Sequence, residues 1–259
     1  MKMKKKIQII CACVFVVAAA FLIAQHFNER RVPVPEAAVR EPIDRVVEVP
    51  PVMEVPTDEP PTPEDEPTEV PVLLPRIAML REVYDNPDIV GFIEIPGTAI
   101  AYPVAQTGNN VFYLYHDLHW NPSNAGSIFL DYENNLYALA DDNTIIYGHN
   151  MRNGSMFHNV RFFHQEDFFR AHTYILLDTP YKETVWDIFA FFHTTIAFDY
   201  LTTNFHDREA YGAFLEELQR RSHFETDFVL TEDDRILILS TCGVTGGDNR
   251  YVLVARLRI

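Results

Sequence analysis

Residues 32 to 75 form a proline-rich, acidic stretch that divides this chain of 259 residues into two very different parts. The stretch holds twelve of the seventeen prolines and no glycine, together with eleven Asp or Glu and two Arg. Proline lacks a backbone donor and like charges repel, so we expect an extended, disordered linker rather than helix or sheet. The globular part of the protein must therefore lie after it, in residues 76–259.

The part before the linker has the pattern of a membrane anchor. Residues 1–6 carry four lysines, and the eighteen residues 7–24 are apolar except for Gln8. At 1.5 Å per residue this run can just span a hydrocarbon core of ~30 Å, and the positive-inside rule places the lysines in the cytoplasm. We predict a cytoplasmic tail (1–6), a single transmembrane helix (7–24) and an extracytoplasmic linker (25–75) at the cell membrane. A cleaved signal peptide is the alternative, because Ala18 to Ala20 offer small residues.

The domain 76–259 is acidic, with 13 basic and 25 acidic residues, which gives a formal charge of −12. Such a domain repels nucleic acid, and no basic stripe interrupts the negative charge. It has no phosphate-cradling glycine loop and no set of Cys and His at zinc-ligand spacing. We therefore expect no nucleic acid partner, no cofactor and no metal.

Short apolar runs rich in β-branched residues dominate this domain and predict a mainly β fold. With two predicted helices, 77–84 and 207–221, they favour a closed eight-stranded barrel with a few peripheral helices. We place Ala210, Phe214 and Leu218 on the apolar face of the second helix. The strand-like runs are 90–95, 100–104, 126–131, 144–147, 173–177, 184–195, 235–241 and 251–258.

Three residues with reactive or charged side chains stand at the ends of predicted strands. Cys242 ends the run 235–241, Arg250 opens the next run, and His149 follows the run 144–147. The other two cysteines, Cys11 and Cys13, lie in the predicted anchor, so an exported Cys242 has no partner for an intramolecular disulfide. An antiparallel return would bring position 250 back beside position 242.

These residue types suit nucleophilic catalysis by a thiol. A thiol with a pKa of ~8.5 is only roughly 3 % ionised at pH 7, so it needs a neighbour that takes its proton. His149 can accept that proton and later protonate a leaving amine. Arg250 remains protonated and is suited to stabilise an oxyanion or hold a substrate carbonyl.

At these positions the chain resembles the sortase family of cysteine transpeptidases. The sequence Leu-Ser-Thr-Cys242 followed by Arg250 is similar to the family's nucleophile signature, and Tyr147-Gly-His149 to its histidine motif. Class B features include the segment from Asn110 to Leu114, which resembles the stretch before a substrate-lining helix, and the segment 126–132. The helices 77–84 and 207–221 also stand where class B has helices.

The resemblance implies a fold, a reaction and partners. It implies a sortase-type barrel in which Cys242 attacks a C-terminal sorting signal of a secreted protein, for class B of the type Asn-Pro-X-Thr. The acyl group would pass to an amine of peptidoglycan or of another protein. By motif position the residues that would line the substrate groove are Asn110, Leu114, Tyr200, Leu201 and Ser240.

Other functions remain open from the sequence alone. A pilin-polymerising sortase of another class is one, although Tyr84 to Pro87 resembles the acidic and aromatic plug of those enzymes only faintly. An L,D-transpeptidase would have arginine almost directly after the cysteine, and in the cell-wall hydrolases the cysteine precedes the histidine. An inactive binding module tethered to the envelope is the non-enzymatic alternative.

Overall fold

The computed structural model describes residues 71–195, 197–243 and 247–258, and of Cys242 it describes the backbone but not the side chain. The predicted tail and anchor and nearly all of the predicted linker lie outside these ranges. Within them, the structure contains no helix whose length and apolar character would let it cross a bilayer.

Eight strands close into a barrel, as the sequence predicts. Their order around the barrel is β1-β2-β3-β4-β7-β8-β6-β5, and β5 pairs back with β1. The pairs β2–β3 and β4–β7 are parallel and the others are antiparallel. The strands are β1 (Ile89–Glu94), β2 (Ala101–Ala105), β3 (Ile128–Leu130), β4 (Asn143–Tyr147), β5 (Tyr174–Asp178), β6 (Glu183–Thr195), β7 (Ile236–Cys242) and β8 (Asn249–Leu257).

Three α-helices and one 3₁₀ helix flank the strands in the described ranges. They are α1 (Pro75–Tyr84), the 3₁₀ helix (Phe157–His164), α2 (Glu166–Ala171) and α3 (Arg208–Arg221). Proline at the first position opens α1, and Asp207 caps α3 by accepting a hydrogen bond from the backbone N–H of Glu209 at 2.9 Å. The sequence analysis missed the 3₁₀ helix and α2, which are short, with eight and six residues.

The core has two layers, because successive side chains along each strand point to opposite faces of the sheet. On β7, Leu237 and Leu239 belong to one buried cluster, whereas Ile236 and Ile238 belong to the other. The second cluster includes the apolar face of α3, so this helix packs against the face of the barrel that β6, β7 and β8 share.

The predicted apolar face of α3 is wrong at Ala210, which is exposed. The buried stripe is Tyr211, Phe214, Leu215 and Leu218. Tyr211 takes the buried place because its hydroxyl lies 2.7 and 2.9 Å from the carbonyl oxygens of Asp234 and Asp142. A tyrosine can be buried when its polar tip finds such partners.

Candidate active site

Strand register places the three predicted catalytic positions at one end of three neighbouring strands. In the parallel pair β4–β7, Tyr147 lies opposite Ser240, so His149 and Cys242 each come two residues later in the same direction. In the antiparallel pair β7–β8, Cys242 lies directly opposite Arg250. His149 therefore follows the end of β4 on the side where β7 ends at Cys242, and Cys242 pairs with Arg250.

Glycine is required between Tyr147 and His149. A Cβ atom on Gly148 would lie 2.4 Å from Ile128 Cδ1 and 2.8 Å from the ring of Phe157. The Gly148 N–H donates to the Ser240 carbonyl at 3.3 Å, and the His149 carbonyl accepts from the N–H of Phe157 at 2.9 Å. The backbone on either side of the histidine is therefore held by hydrogen bonds.

The imidazole of His149 is oriented by a backbone carbonyl. Its Nε2 lies 2.8 Å from the carbonyl oxygen of Leu114, and the ring is half-buried. A carbonyl oxygen can only accept a hydrogen bond, so Nε2 must carry the proton. In the neutral ring Nδ1 is then the nitrogen with a lone pair, and it is the atom available to exchange a proton with a thiol or an amine.

The guanidinium of Arg250 is folded over the turn that joins β7 to β8. Its Nη1 donates to the carbonyl oxygens of Gly247 at 2.7 Å and of Asn249 at 2.9 Å. The carbonyl of Asn249 also accepts from the N–H of Gly243 at 2.9 Å. These bonds hold one edge of the planar guanidinium at the strand end, where a second edge can donate to a substrate oxygen.

The predicted groove residues fall into two groups. Tyr200 and Ser240 are buried and bonded to each other, with 2.9 Å between Tyr200 Oη and Ser240 Oγ. Leu201, next to Tyr200, is 41 % exposed, and Leu114 is half-buried beside His149. Tyr200 and Ser240 therefore lie beneath the surface, whereas the side chains of Leu114 and Leu201 are accessible.

Asn110 is engaged with the protein itself. Its Nδ2 donates to Asp131 at 2.7 Å, and its Oδ1 accepts from the N–H of Tyr132 at 3.0 Å. The helix expected soon after Leu114 is absent from the described residues 115–125, which form turns and an isolated bridge between His116 and Pro122.

Sequence reasoning did not single out Asp131 or the hydroxyl of Tyr147 as functional groups. Tyr147 Oη donates to Asp131 at 2.7 Å. Burial, and then this hydrogen bond to a carboxylate, raise the pKa of Tyr147 far above its usual range, so the phenol stays protonated. The only sequence signal was an acidic residue directly after the apolar run of β3, where a buried carboxylate needs a partner.

Metal binding finds no support in the described residues, where no group of three or more His, Cys, Asp or Glu could hold an ion. Cysteine, histidine and arginine at adjoining strand ends are instead typical of an enzyme that uses a thiol nucleophile with acid–base assistance.

Comparisons with known proteins point to one family among the enzymes with a thiol nucleophile. The family described as "Sortase domain" matches residues 93–258. Sortase B of Listeria monocytogenes is 38 % identical over 157 residues, which are 61 % of this chain and 63 % of that protein. Sortase B of Staphylococcus aureus is 35 % identical over 185 residues, which are 71 % of this chain and 75 % of that protein.

A solved structure agrees in fold as well as in sequence. The Staphylococcus aureus sortase B–substrate complex has a TM-score of 0.68 at 33 % identity, covering 72 % of this chain and 86 % of that one. The chain therefore belongs to the sortase family, whose members are cysteine transpeptidases, and the relatives named here are all sortase B proteins.

Proposed function

We propose that this protein is a class B sortase that cleaves a C-terminal sorting signal and transfers the acyl group to an amine. The observation that carries the proposal is the register of β4, β7 and β8, which brings His149, Cys242 and Arg250 to adjoining strand ends. Relatives that are all named sortase B support the subclass.

In the first half-reaction the sulfur of Cys242 attacks the threonine carbonyl carbon of the signal. As the sulfur attacks, His149 takes the thiol proton on Nδ1. The carbon–nitrogen bond to the next residue then breaks, a thioester forms, and His149 passes that proton to the departing amine. The hydrogen bond from Nε2 to Leu114 assigns this transfer to Nδ1. Arg250 holds the signal and stabilises the oxyanion that forms on the carbonyl oxygen.

In the second half-reaction an acceptor amine attacks the thioester carbon. The carbon–sulfur bond breaks, an amide forms, and His149 takes the proton that the amine loses. We propose an amine of peptidoglycan as the acceptor, with an amine of another protein as the second possibility for the test.

For the substrate we propose signals of the type Asn-Pro-X-Thr. The Staphylococcus aureus sortase B structure is a complex with a substrate, which supports substrate binding by a chain of this fold. We assign Leu114, Leu201 and Asn110 to the walls of the groove, and the bonded pair Tyr200 and Ser240 to its support.

For the location we propose the outer side of a cell membrane. Residues 7–24 would be a single-pass anchor with the N-terminus in the cytoplasm, and residues 25–75 would be the linker. The proline-rich part of the linker, residues 32–75, could reach on the order of 130 Å at ~3.1 Å per residue, which would hold the catalytic domain away from the bilayer.

The test is to incubate the full chain with Asn-Pro-X-Thr and Leu-Pro-X-Thr peptides and to look for a thioester on Cys242 by mass spectrometry. We expect an adduct and amine-dependent turnover with the Asn-Pro-X-Thr peptides, and neither with the Cys242→Ala variant. Adducts only with Leu-Pro-X-Thr peptides would contradict the subclass. Turnover by Cys242→Ala would contradict the mechanism.

A further inference from the structure

A buried carboxylate lies directly after β3, close to the predicted groove. Asp131 is 4 % exposed. Its Oδ2 accepts from Asn110 Nδ2 and from Tyr147 Oη, each at 2.7 Å, and its Oδ1 accepts from the N–H of Glu133 at 2.9 Å. Among the described residues no ion pair includes this carboxylate. A buried carboxylate with three hydrogen-bond donors fixes the relative positions of the segments that supply them.

Both side chains that bind Asp131 are connected to His149, one through the chain and the other through a hydrogen bond. Tyr147 precedes His149 by two residues, with Gly148 between them. Asn110 begins the segment that ends at Leu114, whose carbonyl accepts the proton of His149 Nε2. Carboxylate, tyrosine, histidine, Leu114 and Asn110 therefore form one closed ring of covalent and hydrogen bonds.

The far side of this ring is fixed independently. Tyr113 is buried, and its hydroxyl donates to Asp88 at 2.8 Å and accepts from Asn86 Nδ2 at 2.8 Å. Its carbonyl accepts from the N–H of Ser127 at 2.9 Å. The near side, formed by Asn110 and Tyr147, has Asp131 as its common acceptor, and loss of this carboxylate would remove one hydrogen bond from each of the two side chains.

We propose that Asp131 is a positioning residue for the reaction, which sets the orientation of His149 through Tyr147 and through the Asn110–Leu114 segment. A single carboxylate oxygen accepting from both sides keeps the distance between β4 and this segment constant. The Leu114 carbonyl then stays where it holds the proton on Nε2, and Nδ1 is presented for proton transfer. This inference rests on the proposed function.

The consequence is a selective effect on the chemical step. A misoriented imidazole slows proton transfer to the leaving amine, while the outer walls of the groove still bind peptide. We expect Asp131→Asn to lower kcat about tenfold, a part of the ~10²–10⁴-fold that acid–base catalysis supplies, and to raise KM by a smaller factor, because Asn110 keeps its hydrogen bond to the Tyr132 N–H. We expect Tyr147→Phe to act in the same direction, and the double variant to be no slower than Asp131→Asn, because both changes break the same bond.

The experiment uses the full chain with a fluorogenic Asn-Pro-X-Thr peptide and a fixed amine acceptor. Wild type, Asp131→Asn, Tyr147→Phe and the double variant are compared for kcat and KM. The matched control is Asp178→Asn, since Asp178 is equally buried but lies on β5 and pairs with Arg76 at 2.7 Å. Nitrogen-15 NMR of the His149 ring reports directly which nitrogen carries the proton, and this signature does not depend on turnover.

The outcomes separate clearly. A loss of kcat with a mixed or exchanging His149 tautomer in Asp131→Asn and Tyr147→Phe, but not in Asp178→Asn, supports the inference. Unchanged kcat and an unchanged ring spectrum in both variants overturn it, and so does an equal loss in Asp178→Asn. Wild-type protein that forms no thioester would instead contradict the proposed function, and the ring spectra would still decide the role of Asp131.

Discussion

The two halves of the candidate site are built in different ways. On one side, the positions of His149, Cys242 and Arg250 follow from backbone ladders between β4, β7 and β8. On the other side, residues 110–126 form turns and an isolated bridge, and side-chain hydrogen bonds of Asn110 and Tyr113, with a close backbone approach at Gly126, fix their position.

This difference decides which changes each half can tolerate. A ladder uses N–H and C=O groups that every residue except proline provides, so its geometry survives most side-chain replacements. A side-chain network depends on the particular atoms of each member, and one replacement can release several contacts. Substitutions on the strand ends should therefore remove chemistry and spare the fold, whereas those in the connecting stretch should affect both.

Among changes that keep the thiol, Arg250→Lys should give the largest effect on the ladder side. Lysine keeps the charge and the backbone pairing with Cys242, but it loses the planar fork that can hold the turn carbonyls and a substrate oxygen together. We expect turnover to fall about 10²-fold, as for loss of an oxyanion donor, with an unchanged melting temperature. Turnover with a peptide and thermal melting monitored by circular dichroism measure the two quantities.

The control for this variant is Arg256→Lys on the same strand. Arg256 lies 5.0 Å from the ring of Phe228 and 3.8 Å from Asp234, at the end of β8 far from Cys242. Its replacement should leave turnover within about twofold. Equal losses in the two variants would mean that the position of Arg250 at the strand end has no special role.

Gly126→Ala should give the clearest effect on the connecting side. Gly126 has φ +56°, and a Cβ atom there would lie 2.5 Å from the carbonyl oxygen of Tyr113 and 2.6 Å from that of Leu114. The Leu114 carbonyl, which orients His149, would have to move. We expect a loss of about 2 kcal/mol in the free energy of unfolding, or roughly 4–8 °C in melting temperature, together with reduced turnover.

Gly154→Ala is the matched control, because Gly154 has φ +86° but nothing lies within 4 Å of its added Cβ. It should cost only the conformational penalty, about 1 kcal/mol, and leave turnover intact. If both alanine variants behaved alike, the close contact with Leu114 would be irrelevant and the connecting side would be less constrained than the structure indicates.

The same division explains what the sequence could predict. All eight strands and the α1 and α3 helices were found within a few residues, and the pairing of position 242 with 250 was correct, since strand ends and turns follow local composition. The Asp131 network was missed because its hydrogen bonds to Asn110 and Tyr147 join residues 21 and 16 positions apart, and no periodic pattern encodes them. Tyr211 was missed on α3 because the apolar face was assigned without considering partners for a buried hydroxyl.

The smallest expected effect concerns the charge of two histidines beside the ladder side. One of them, His193, lies on β6 and pairs with Tyr251 on β8. His193 Nδ1 lies 3.2 Å from His223 Nε2, and the rings of Phe191 and Tyr251 pack against His193. Burial, followed by the charges of His223 and His164, lowers the pKa of His193, and burial followed by His164 lowers the pKa of His223.

The folded protein then binds fewer protons than the unfolded chain below about pH 6.5, so stability should fall as the pH is lowered through that value. Both rings keep contact with solvent, so we expect a change of only roughly 1–3 °C in melting temperature between about pH 7.5 and pH 5. His223→Gln should reduce this pH dependence, because it removes one of the two ionisable rings. An undiminished pH dependence of the melting temperature in His223→Gln would show that the histidine pair does not couple protonation to folding.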